Sequence, residues 1–157
     1  MFKYAILGDS EVVVTSHYGK YEGAEADEAM LAILETMSLA EKNRIRVVIQ
    51  DYSRVREMTL NDTDMARTST FRSKLIEHFS VEKVSVLMSK IALYFVRPTR
   101  PDVLAMQIER TERTHQHHGA EFSYSVSGSL SSALQEVGVN ELPSDEEWLN
   151  PPNSDSD

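Results

Sequence analysis

Residues 45–49 read IRVVI, an apolar run broken only by Arg46, with no period-two alternation. Such a run suits a strand covered on both faces, which places it inside a parallel sheet with helices on either side. Polarity then rises abruptly at Asp51, Tyr52 and Ser53. Open α/β sheets collect ligands at the carboxyl ends of their strands, so these three are the leading candidate binding residues. The same residues also fit a turn in which Asp51 and Ser53 bond backbone groups while Tyr52 packs.

The remaining chain supplies elements for such a sheet. Residues 4–7 and 12–15 are β-rich and flank Gly8, Asp9, Ser10 and Glu11, a turn cluster that predicts an antiparallel hairpin. Over 24–42, Ala26, Met30, Ile33, Leu34 and Met37 recur at helical spacing, which predicts one amphipathic helix. Thr59, Asn61, Asp62 and Thr63 are N-cap types, and Met65, Thr68, Phe71, Leu75 and Phe79 carry a second helical stripe. Residues 84–88 read as a further strand, while 90–96 suits a helix, a hairpin partner or a loop.

Beyond Pro98 and Pro101, a helix over 102–118 turns Leu104, Ile108 and Thr111 to one side. Residues 122–126 alternate as a half-exposed edge strand. Leu130, Ala133, Leu134 and Val137 form the stripe of a final helix that Gly138 stops. The order β-β-α-β-α-β-α-β-α predicts an α/β fold: a mixed, mostly parallel sheet of about five strands with helices packed on it.

Composition narrows the chemistry. Without cysteine there is no disulfide, thiol nucleophile or thiolate metal site. No apolar run reaches the roughly 18 residues of a membrane span, so a cytoplasmic location is expected. The net charge of −9 opposes nucleic acid and anionic lipid and suits a basic partner. Much of it lies in Glu141, Asp145, Glu146, Glu147, Asp155 and Asp157, where no Lys or Arg answers it. Residues 1–138 are therefore expected as a single domain and 139–157 as an acidic, flexible tail, with Trp148 and Leu149 docking on the body.

The order of elements, the central VVIQDYSRV and the later SVSGSLSSALQEV resemble the STAS-like, or SpoIIAA-like, domains related to bacterial anti-sigma-factor antagonists. Ile49, Asp51, Ser53 and Val55 approximate that family's I-D-x-S-x-V strand end. The resemblance spans most of residues 1–138 and implies a regulatory or ligand-binding module. In the family's switch proteins a serine in a D-S-S-G-like turn is phosphorylated at the start of the next helix. Here that turn reads Met58, Thr59, Leu60, Asn61, Asp62, leaving Thr59 and Thr63 as the available hydroxyls. Asp62 and Asp64 would oppose a phosphate there.

Other candidates are weighed on chemistry alone. Arg97 and Arg100 flank Pro98 and Thr99 ahead of a helix, a place for an anion or a solvated loop. Tyr94 and Phe95, with the methionines, could line an adaptable apolar pocket for a lipid-like ligand. His115, His117 and His118 lack a firm third ligand, so no metal is expected. No Gly-rich phosphate loop or nucleophile elbow occurs, and no catalytic residue or cofactor is assigned. The reading is a non-enzymatic regulatory or binding module for a protein partner or an apolar small molecule. The alternatives are a small enzyme at the Asp51 end, or a structural homodimer joined through IALYFV.

Overall fold

A computed structural model describes residues 1–59, 74, 77–78, 90–118 and 124–151. Strands β1 (Phe2–Leu7) and β2 (Val12–Tyr21) pair antiparallel, as the hairpin pattern predicts. Their turn holds Gly8, Asp9 and Ser10 in the left-handed region, with φ of 58°, 54° and 71°. Glycine enters that region freely and aspartate tolerates it through its short polar side chain. The Glu11 N–H closes the turn on the Gly8 carbonyl at 3.1 Å.

Two helices follow where the spacing predicts one. Helix α1 (Gly23–Thr36) ends at Met37, which is extended, and α2 (Leu39–Lys42) begins afresh. The cause is a capping box: the Ser38 hydroxyl accepts from the Glu41 N–H while the Glu41 carboxylate accepts from the Ser38 N–H. That reciprocal pair stabilises a new helix start and thereby interrupts the old one.

Strand β3 (Val47–Met58) follows, then β4 (Ala92–Val96), α3 (Pro101–His118), β5 (Ser125–Ser127) and α4 (Leu130–Glu136). The sheet order is β1-β2-β3-β4-β5, and every pairing after the first is parallel. The expected mixed, mostly parallel α/β sheet of five strands is therefore the observed one. The ambiguous segment at 90–96 supplies β4. Residues 84–88 and most of the expected second helix lie outside the described residues.

The central strand is covered on both faces. Ile49 packs with Ala5, Leu7, Val14, Val96 and Leu134 on the α4 side. Val48 packs with Val13, Leu34 and Ile45 on the α1 side. Burying an aliphatic side chain as fully as Ile49 contributes roughly 1.5–3 kcal/mol, so these clusters fix the strand's position. The α3 stripe differs from its sequence expectation. Val103 and Gln107 are buried, Ile108 is exposed, and Leu104 and Thr111 are intermediate. The inward side carries Gln107 and Arg110, whose polarity hides it from a hydrophobic pattern.

The acidic segment meets the body at Val139, Trp148 and Leu149. Leu149 and Tyr4 exchange backbone hydrogen bonds of 2.9 and 2.8 Å across the outer edge of β1. Trp148 packs against the α4-side cluster. Among the described residues, no helix is long and apolar enough to cross a membrane.

Candidate functional site

The polar exit of the apolar run is not a strand end. Strand β3 continues to Met58, and Asp51 lies opposite Val96, the last residue of β4. Asp51 thus marks the point where β4 leaves the sheet while β3 goes on beside β2. The apolar pattern stops there because one side of the strand loses its neighbour, not because the strand ends.

The register shifts at the same point. Ser16 pairs with Asp51 and Tyr18 with Arg54, so Tyr52 and Ser53 together oppose His17 in a bulge. Asp51 serves this bulge: its Oδ1 accepts the Ser53 N–H at 2.9 Å and its Oδ2 accepts the Ser16 hydroxyl at 3.3 Å. With 4% of its surface exposed, Asp51 is a buried carboxylate engaged with its own backbone. Asp51 and Tyr52 point to opposite faces, since successive strand residues alternate. Together with Ser53 they do not converge on one crevice.

On the α1 and α3 face, Tyr52 belongs to a row of rings. His17 stacks on Tyr52, with centroids 5.0 Å apart and planes 15° from parallel, and meets Tyr21 edge-on at 5.0 Å. Phe95 lies 5.9 Å from Tyr52, and Tyr124 lies 5.2 Å beyond Phe95. The Tyr52 hydroxyl donates to Gln50 Oε1 at 2.6 Å. His17 Nε2 and the Thr15 hydroxyl share a 3.0 Å hydrogen bond. Arg110 closes the row: its Nη1 donates to the Tyr21 hydroxyl at 2.9 Å, with the guanidinium carbon 5.0 Å from the ring centroid.

The electrostatics follow from burial. Loss of solvent pushes His17 down to about 3, and the positive amino terminus and Arg110 push the same way. Burial raises the Tyr52 phenol well above its ordinary value, and Tyr21 adds to the shift. Burial works against the charge on Arg110, but Tyr21, Tyr52 and Asp27 more than offset it and hold the guanidinium above its ordinary value. A neutral histidine bonded to Thr15, next to a phenol that resists ionisation, is not poised for proton transfer near neutral pH.

The other sequence candidates separate. Tyr94 packs on the α4 side and Phe95 on the α3 side, so strand alternation sets them on opposite faces of the sheet. IALYFV supplies the interior strand β4 between β3 and β5, with Phe95 and Val96 buried. The Thr59 hydroxyl donates to the Tyr21 carbonyl at 3.4 Å. Asn61, Asp62 and Thr63 lie outside the described residues, as do the side chains of His115, His117 and His118. Arg100 is bidentate on Asp102, at 3.1 and 2.7 Å. That bond holds Asp102 below its ordinary value.

Arg97 is exposed just past β4, with a guanidinium nitrogen over Gly128. The Thr99 hydroxyl donates to the Ser53 carbonyl at 3.1 Å, tying this loop to the bulge. Sequence reasoning missed Thr15, Tyr21, Gln50 and Arg110. Alternation within VVVTSHYGKY could have set Thr15 and His17 on one face, but nothing local connects them to Arg110.

The fold and this interior define a mixed α/β module built around a closed ring-and-arginine row. No family model matches the chain, and no curated protein matches it. Among solved structures it is similar to that of the anti-sigma factor antagonist SpoIIAA in its unphosphorylated form. Identity is 13% and the TM-score 0.46, with 87% of this chain and 97% of that chain covered.

Proposed function

We propose that the chain is a non-enzymatic regulatory module of the SpoIIAA-like type that binds a protein partner where β4 leaves β3. The observation that carries this reading is the division of polar groups. Those inside bond to one another: Asp51 to Ser16 and Ser53, His17 to Thr15, Tyr52 to Gln50, Arg110 to Tyr21. Arg54, Arg97 and Thr99 stand exposed around the tie between Thr99 and Ser53. A surface of guanidinium and hydroxyl groups on a braced loop suits protein recognition, since little ordering entropy is lost on contact.

Arg54 and Arg97 offer two exposed guanidinium groups here although the chain carries −9, so the proposed partner meets them with carboxylates. A reaction at Asp51 has less support, because both carboxylate oxygens already serve the bulge. The test is capture from an extract of the source cells, with the unaltered chain and with the Arg97→Glu, Thr99→Ala variant as baits. A protein retained by the first and lost by the second, at matched thermal stability, supports the reading. Equal retention by both overturns it.

A further inference from the structure

The opposite edge of the sheet carries a second feature. In the β1–β2 ladder the Tyr18 N–H bonds to the Met1 carbonyl, so the odd residues of β1 exchange bonds with β2 and the even ones face outward. Tyr4 confirms the phase, because both its backbone groups bond to Leu149. Phe2 and Ile6 share that phase, and among the described residues neither makes a backbone hydrogen bond on that edge. Among the described residues, the outer edge of β1 is therefore hydrogen-bonded at its midpoint and unbonded on both sides.

The geometry points to residues 139–151 as an autoinhibitory strap that keeps β1 from pairing with the β1 strand of a second copy of this chain. FKYAIL holds one charge and no proline, the composition that leaves a sheet edge prone to pairing. A strand laid antiparallel along it, with Tyr4 opposite Tyr4, sets Phe2 opposite Ile6 and joins the two sheets about a two-fold axis. The strap occupies the central position of that register, so the two arrangements exclude one another. It is anchored by one backbone bridge, by Val139 and Trp148 on the α4-side cluster, and by the Val139 N–H on the Leu134 carbonyl at 2.9 Å.

Charge acts in the same direction. The six acidic residues beyond position 138 face no Lys or Arg, and without them the net charge falls from −9 to −3. Residues 139–151 therefore block the edge sterically, and the acidic residues beyond position 138 carry most of the net charge by which two copies repel one another. This device lies at the far edge from the proposed partner site and stands whether or not that reading does.

The test compares the full chain with a variant ending at Gly138 and with Leu149→Pro, which removes the N–H that bonds to Tyr4. Native mass spectrometry should show both variants as assemblies of twice as many chains as the unaltered protein. Hydrogen exchange at the Phe2 and Ile6 amides should slow at least roughly tenfold as these new bonds form. Folded variants that keep the assembly state of the full chain overturn the proposal. So do larger assemblies in which those two amides exchange as before, since they form through another surface. If the shortened chain does not fold, Leu149→Pro decides alone.

Discussion

The guanidinium of Arg110 lies so close to Gly23 that a β-carbon there would stand 2.7 Å from Nη2. Helix α3 thus reaches across the first residue of α1 to bond Tyr21, and glycine leaves the space for it. Gly23→Ala should displace the guanidinium and lower stability by roughly 1–2 kcal/mol, the scale of a lost charge-assisted hydrogen bond. Urea unfolding of the two proteins measures the difference.

His17 gives the fold a pH dependence whose sign is fixed by its burial. Its value falls from 6.5 to about 3 on folding, so between those limits the unfolded chain binds more protons. The stabilisation is fully present above about pH 6.5 and is lost as pH falls toward 3, with a slope approaching about 1.4 kcal/mol per pH unit. Denaturant midpoints between pH 7 and pH 4.5 should follow this slope, and His17→Gln should flatten it. NMR of the His17 ring should show no titration across the same interval.

Asp51→Ala removes the acceptor for both Ser53 N–H and the Ser16 hydroxyl. Two donors left unpaired in the interior should lower stability by about 1–3 kcal/mol. Partner capture at matched folded concentration should fall less than in Arg97→Glu, Thr99→Ala, because Asp51 is buried and reaches the proposed surface only through the Ser53 backbone.

Tyr52→Phe keeps the ring row but removes the donor to Gln50 Oε1. The expected loss is about 1 kcal/mol, read by thermal unfolding. The paired change Tyr52→Phe, Gln50→Leu should recover part of it, since replacing both partners leaves no orphaned acceptor.

These relationships explain which parts were legible in the sequence. Continuous Ile and Val at 45–49 revealed the interior strand, because burial on both faces leaves no alternation to confuse. The extension from Tyr52 to Met58 was hidden. A bulge disrupts its period, and Arg54, Arg56 and Glu57 are exposed once β4 has left. The break between α1 and α2 was written in Ser38 and Glu41, a capping signal overshadowed by the apolar stripe running through Met37. The inward side of α3 was concealed by chemistry. Gln107 and Arg110 occupy core-facing positions, and only the fold shows that Tyr21 and Gly23 receive the arginine. Position alone made Asp51 the leading candidate, yet the turn-type bonding that also suited it in the sequence is what its oxygens perform.

Native mass spectrometry of the chain purified from its own source, without denaturation, tests the central claim most directly. If the interior polar groups serve the fold and recognition occurs at the surface, the spectrum should contain the chain bound to another polypeptide and no retained small molecule. A one-to-one complex with a small organic ligand would contradict the account, in which the interior groups Asp51, Tyr52 and Arg110 are bonded to their own neighbours.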